Sequence, residues 1–507
     1  MSERAQGPSS LGRYRIHPPS VQRLGEGFCR KKQVVVLGEI LDDPAAAVTV
    51  GMLEPEDRDL AQRLQRFLHR EIVPVRLSPP EIDQALEIGF ERWKQRADRA
   101  SLEAVGDAGS LDDAARQALA LLEAVIEPAV HAGAEHLHIE RRGDGVQVRM
   151  RVDARLWPVA VPLSPHDLDG VLARLRALAG LDEDEPGPEP RRGRLSARFG
   201  PAQDRRPLEL RFAIMPGLDG DEAVLHLVDP QAPARGLGEL GLEPAGLTAV
   251  QALLDGPAGL VLVAGPAGSG RTTTLHALLR TLDAEALKVV AIEDPVLRRI
   301  DGVSHWPIPA GLGFAPPVRA VREHDADVVA IGDLLDAQTM EAAARLAEQG
   351  TPVLACLHAR DAVAALGSLR RLGVSDELTA EVLRGVIAQR RVPLVCPQCR
   401  ELAPDDAWSE ALFVRMGRRF AHARGRGCER CGGTGQRGRT GIFEVLTIDD
   451  AIAEAIASGR GRGELQGMLR ASGQPSLLEA AALRAERGEV ALGSLRRALG
   501  SSVRAAG

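Results

Sequence analysis

Four apolar runs in the second half of the chain, GLVLVAG, KVVAIEDP, ADVVAIGD and TPVLACLH, alternate with stretches of helical periodicity. Nearly continuous runs of β-branched and small apolar residues suit strands covered on both faces, and their alternation with helices is the pattern of a parallel sheet. An all-helical or all-antiparallel domain does not accommodate it. The same pattern says where chemistry belongs, because ligands of open α/β sheets bind beyond the carboxyl ends of the strands.

The first run leads into GPAGSGRTTTLHALL, which begins at Gly265. The stretch Gly265, Pro266, Ala267, Gly268, Ser269, Gly270, Arg271, Thr272 and Thr273 follows a strand and opens a helix, the context required of G-x-x-x-x-G-K-[ST]. Glycines let backbone N–H groups face a phosphate, the helix N-terminus adds positive potential, and Thr272 is suited to ligate Mg²⁺. Arginine stands where the pattern has lysine, so a glycine-rich turn without a ligand stays open as the plainer reading. The other runs end in Glu293 and Asp294, in Asp333 and in His358. Ionisable groups at three strand ends beside such a loop point to a metal–nucleotide site with a water-orienting carboxylate and a phosphate sensor.

At 507 residues the chain has room for about three domains. Residues 1–29 read as a loosely held leader. Residues 30–94 read as a small α/β module in which QVVVLGEILDD and AAAVTVGMLEPED are strands, followed by helix, strand and helix. A charged, small-residue stretch at 95–112 suits a linker. Residues 113–230 form a mixed α/β module with an antiparallel sheet, including a hairpin around Gly143 to Gly145 and a Pro-rich loop, LDEDEPGPEPRRGR. The parallel-sheet domain takes 231–507. With 63 basic and 70 acidic side chains the net charge is −7, which gives no global attraction for nucleic acid or anionic lipid. No apolar stretch approaches the roughly 18 to 20 residues of a membrane span.

Cys396, Cys399, Cys428 and Cys431 form C-x2-C-x28-C-x2-C. Two tight pairs of thiolates suit a tetrahedral Zn²⁺, with an inserted hairpin or helix filling the long gap, and reduced free thiols are the alternative. This zinc element spans 396–431. Cys29 and Cys356 stand apart as inert small residues. The basic cluster RMGRRFAHARGRG inside the element suits a solvated face or a protein contact better than nucleic acid, because aromatic residues are sparse in it.

The chain resembles the hexameric ATPases of type II secretion and type IV pilus assembly. IEDPV is similar to that family's aspartate-rich box, DADVVAIGDLLD to its second nucleotide motif and CLHARDA to its histidine box. IAQRRVPLVCPQC and CERCGGTGQRGRTGIFEVL are similar to its zinc element and the strand after it. The resemblance implies a RecA-like P-loop NTPase domain with a zinc element, preceded by a mixed α/β, PAS-like domain and a small partner-docking domain. It implies ATP, Mg²⁺ and Zn²⁺, with Arg271, Glu293, Asp333 and His358 in catalysis and Asp294 and Arg211 beside the loop in nucleotide binding. It also implies a ring, hexameric by the family's habit, on the inner face of a bacterial inner membrane. The N-terminal domain would meet the cytoplasmic region of an inner-membrane protein, a membrane platform protein would be a second partner, and nucleic acid is not expected.

The departures are specific. Where the family usually has lysine, glutamate and, two residues on, arginine, the chain has Arg271, Asp333 and Leu335. Of two arginines fifteen residues apart in the middle module, Arg211 is present and His226 replaces the other; Glu323 and His276 replace an arginine and an aromatic residue. Guanidinium is a broad planar fork and not a compact point charge, and aspartate is one methylene shorter than glutamate. Two readings therefore stand: an ATP-driven motor, and a nucleotide-binding paralogue impaired in hydrolysis.

Overall fold

The computed structural model describes residues 11–499 except 15, 39–45, 91–102, 105–112, 144, 154, 162, 182–190, 200–205, 231–233, 310–311 and 432. The chain divides into two compact units, Met1–Ala232 with Glu429–Gly432, and Pro233–Cys428 with Gly433–Gly507.

The first unit opens with a three-stranded sheet of Val34–Leu37, Val48–Met52 and Ile72–Arg76, the first pair antiparallel and the second parallel. Helices Arg58–Leu68 and Pro79–Gly89 accompany it, as the sequence pattern predicts. Its first residues differ from expectation. Short helices at Pro18–Gln22 and Glu26–Lys32 fold onto the module, and Leu11, Val21, Leu24 and Cys29 are buried in its core. Gly89 has no side chain because Val21 occupies that space: a Cβ there would lie 2.4 Å from a Val21 methyl carbon. Leu11 N–H donates to Glu81 at 3.2 Å and Gln22 to the Gly89 carbonyl at 2.9 Å. The described part of the expected leader is therefore packed structure; the rest lies outside the described residues.

Most of the expected linker also lies outside them, but Glu103–Ala104 pairs as an edge strand with Arg191–Phe199. That strand belongs to a seven-stranded sheet, antiparallel throughout, backed by helices Asp113–His131 and Pro165–Leu178. The hairpin of His136–Arg142 and Gly145–Val152 is present. The expected Pro-rich loop ends sooner than its composition suggests, since Arg191 already begins a strand. Leu195, Ala197 and Phe199 supply alternate buried positions, and Gly193 leaves room for the Phe212 ring.

The second unit is built on a seven-stranded sheet: β1 Leu260–Ala264, β2 Val289–Glu293, β3 Ser304–Pro307, β4 Val328–Ile331, β5 Val353–Leu357, β6 Leu383–Val395 and β7 Gln436–Thr447. The spatial order is β3-β2-β4-β5-β1-β6-β7, parallel throughout except for the β6–β7 pair. β1, β2, β4 and β5 are buried at every residue, which is why they read as unbroken apolar runs. Helices α1 Arg271–Leu279, α2 Ala337–Glu348, α3 Ala362–Arg371 and α4 Arg462–Ala471 belong to the same unit. No described helix is long and apolar enough to cross a membrane.

Candidate functional site

The loop between β1 and α1 has the backbone form of a phosphate cradle. Gly268 and Gly270 have φ of 73° and 93°, conformations that side chains with a Cβ resist, and Gly270 caps α1. Gly265 N–H donates to the Leu357 carbonyl at 3.1 Å, tying the loop to the end of β5. A Cβ on Gly265 would lie 2.3 Å from Ser269 Oγ, so the loop closes tightly on itself there. Gln389 on β6 donates from Nε2 to the Ser269 carbonyl at 2.8 Å and braces the loop from the far side. Gln389 was not singled out from the sequence; only the pairing of β6 beside β1 brings it in.

Arg271, Asp333 and His358 come together, although 62 and 87 residues separate Arg271 from the other two. Arg271 Nη2 donates to Asp333 Oδ2 at 3.2 Å and lies 2.7 Å from His358 Nε2, which is 3.4 Å from the same carboxylate oxygen. A guanidinium only donates, so His358 Nε2 accepts and the ring proton sits on Nδ1. Burial raises the Asp333 carboxyl above its ordinary range, and the neighbouring Arg271 guanidinium offsets this only in part. Four buried polar atoms around the loop lack a partner: Ser269 Oγ, Arg271 Nη1, Asp333 Oδ1 and Gln389 Oε1. Buried polar atoms are ordinarily paired, so this group fits a site that a phosphate, a cation and their waters complete. Thr272 is half-buried at the start of α1, whereas Thr273 is exposed.

Glu293 and Asp294 separate at the end of β2. Asp294 is exposed; Glu293 is 2% exposed. His276 Nε2 donates to Glu293 Oε2 at 2.7 Å and His305 Nδ1 to Oε1 at 2.9 Å. The Ile300 N–H donates to His305 Nε2 at 2.9 Å, which fixes that tautomer. Burial pushes the Glu293 carboxyl up, but the two imidazole bonds outweigh it and the group titrates below its ordinary value. Both oxygens are thus engaged by histidines, and neither meets Arg271. Of the carboxylates expected at the strand ends, Asp333 meets Arg271 in this conformation, whereas Glu293 is held by His276 and His305.

Arg211 lies in the other unit, in register with His226 and Arg194 on its two sides and 3.7 Å from Glu209. His226 stacks on His136 with ring centres 4.6 Å apart. Burial first, then His136 and Arg211, lowers the His226 pKa to about 4, so the residue standing in place of an arginine is uncharged at neutral pH.

The four sulfur atoms of Cys396, Cys399, Cys428 and Cys431 lie within 4.8 Å of one another, and Cys396 and Cys428 are 3.9 Å apart. Metal–sulfur bonds of about 2.3 Å in a tetrahedron require sulfur–sulfur edges of about 3.8 Å, so the donor set fits zinc. Arg400–Leu402, Ala407–Met416 and Ala423–Gly425 fill the long gap, a helix between two paired strands. The backbones of Gly425 and Gly435 touch where a Cβ on either would lie about 2 Å from the other's carbonyl oxygen. In the basic cluster, Arg418 pairs with Glu486, Arg419 with Asp405 and Glu410, and Arg424 with Glu401. Its charge is largely spent within the fold.

A glycine loop of this form, between a buried parallel strand and a helix and facing carboxylates from neighbouring strand ends, defines a RecA-like nucleotide-binding domain of the P-loop class. Residues 112–497 match the type II/IV secretion system protein family, and residues 9–88 match the MshEN domain. The chain belongs to the type II/IV secretion system protein family. It is 36% identical to a type II secretion system protein E of Klebsiella pneumoniae over 342 residues, 67% of each chain. It is 35% identical to the type II secretion system protein HxcR of Pseudomonas aeruginosa over 361 residues, 71% of this chain and 72% of that one. Identity to the type IV pilus assembly ATPase PilB of Thermus thermophilus is 31% over 428 residues, 82% of this chain and 47% of the other. Among solved structures, the ATPase DotB of Legionella pneumophila shares the fold at a TM-score of 0.54 and 19% identity, covering 74% of this chain and 93% of DotB.

Proposed function

We propose that this protein is an ATP-driven motor subunit of a type II secretion or type IV pilus assembly machine, and that its own turnover of ATP is slow. Membership of a family whose relatives are named as secretion and pilus ATPases supports the first part. The contact of Arg271 with Asp333 and His358 carries the second.

In this reading the backbone of 265–273 would hold the phosphates with Asp294 beside the nucleotide, and Thr272 would hold Mg²⁺, which would supply charge neutralisation. Arg271 Nη2 is engaged by Asp333 and His358, so the guanidinium meets a phosphate either through Nη1 or after releasing them. While the contact holds, it occupies Asp333 Oδ2 and leaves only Oδ1 to orient the attacking water. Asp333, half-buried and shorter than glutamate, must act from further back, and an error of about 1 Å in such placement costs about 10²-fold in rate. Backbone donors do not depend on these side chains, so binding is spared more than catalysis. Four cysteine thiolates would hold one Zn²⁺ as a structural clamp. The protein would work as a ring at the inner face of the inner membrane, with its first module docked on the cytoplasmic region of a membrane protein.

An impaired, regulatory paralogue is the second reading, favoured by the same Arg271–Asp333 contact. Titration with Mg-ATP followed by steady-state phosphate release decides between them. Tight binding with slow but measurable release supports a slow motor, binding without release supports the paralogue, and absence of nucleotide binding overturns both.

A further inference from the structure

His358 is a wall of two spaces. On one side it meets Arg271 and Asp333; on the other it lines a cavity of about 410 Å³ together with Arg360, Arg370, Arg371, Arg462 and Ser368. The cavity lies along α3 and reaches α4, and no carboxylate lines it among the described residues. Its volume is within the range of small-molecule sites.

Four guanidiniums on one concave wall repel one another unless something answers their charge. Two carboxylates answer part of it: Asp376 lies 2.5 Å from Arg370, and Asp361 lies 2.5 Å from Arg462 and 3.7 Å from Arg360. Arg371 has only a neutral partner. Its Nη2 donates to Ser368 Oγ at 2.7 Å, and the one proton of that hydroxyl is shared between the carbonyl oxygens of Ala364 at 3.2 Å and His358 at 3.3 Å. The arrangement keeps an uncompensated, oriented guanidinium facing a space floored by small residues. Planar guanidinium forks match phosphate oxygens two at a time, which a water-filled pocket does not require.

We propose that this cavity binds a phosphoryl anion, in addition to and separately from the nucleotide loop. A free phosphate or diphosphate and a phospholipid headgroup share this chemistry.

The test uses the full chain with its loop saturated by a non-hydrolysable ATP analogue. One arm follows pyrophosphate binding by calorimetry; the other follows co-sedimentation with phosphatidylcholine vesicles with and without phosphatidylglycerol. The variant is Arg360→Gln with Arg371→Gln, which leaves the closest carboxylate pairs intact. Uptake of either probe by the wild type, weakened at least about tenfold in the variant with unchanged analogue affinity and unchanged thermal unfolding, supports the site; the responding arm names the source. Failure of both probes, or equal binding by the variant, overturns it. So does a variant that binds pyrophosphate as before but loses self-association, because the arginines would then be serving carboxylates of a second copy. If the analogue itself fails to bind, the nucleotide reading falls while the wild-type and variant comparison with pyrophosphate still reads the cavity.

Discussion

The nucleotide loop and the cysteine cluster keep opposite halves of their chemistry. At the loop the backbone form is kept, with its positive-φ glycines and its ties to Leu357 and Gln389, while Arg271 and Asp333 depart from the residues the family resemblance leads one to expect. At the cluster all four side chains are in place and within reach of one ion, while a helix and two strands lengthen the chain between them. A function carried by backbone donors tolerates substitution; one carried by side-chain reach does not. Binding of phosphate falls in the first class, and both metal ligation and transition-state placement fall in the second.

The largest effect is expected at the cluster. Cys428→Ser opens the tetrahedron, so the second unit loses several kcal/mol of stability and its zinc, because binding free energy of a structural site is folding free energy. Elemental analysis should find one Zn²⁺ per wild-type chain and a marked loss in the variant; zinc-free wild type with unchanged unfolding would remove this side of the comparison.

Next comes a link between the two regions. Glu444, on the strand that leaves the cluster, accepts from Ala362 N–H at 3.3 Å and Leu477 N–H at 3.0 Å, and burial raises its pKa from 4.5 to about 7. A carboxyl raised in the fold contributes stability that is complete below its unfolded pKa and is lost as pH rises through the folded one. Wild type should therefore weaken by up to about 3 kcal/mol relative to Glu444→Gln between about pH 4.5 and pH 8. Parallel urea midpoints of the two proteins across that range would show that Glu444 is not the titrating group.

A smaller effect probes the backbone side. Gly270→Ala must hold a φ of 93° and bring a methyl within 3.3 Å of Gln389 Nε2, at a cost of about 1–2 kcal/mol. Affinity for ATP should drop roughly tenfold, as read by fluorescent nucleotide displacement, whereas Thr273→Ala on the exposed side of α1 should leave it unchanged.

What could be read without coordinates follows the same division. Strands buried on both faces announce themselves as apolar runs, and the loop and the cysteine spacing are local patterns, so the second unit's fold, the glycine loop and the cysteine cluster were legible. The hold of His276 and His305 on Glu293 was not, because His305 sits on an edge strand whose pairing with β2 no local period reveals. Leu11, Val21 and Leu24 are too sparsely spaced to show a helical stripe, and their burial depends on a helix that begins at Pro79. The strand Arg191–Phe199 hid behind arginines on its exposed face.

The central claim, that the loop keeps binding and has surrendered speed, is tested most directly by measuring kcat and ATP affinity together in wild type and in Arg271→Lys combined with Asp333→Glu. A compact ammonium frees the second carboxylate and a longer side chain brings it forward, so kcat should rise at least about tenfold, about 1.4 kcal/mol of transition-state stabilisation, with little change in affinity. A double variant that alters only affinity, with kcat at the wild-type value, would contradict it.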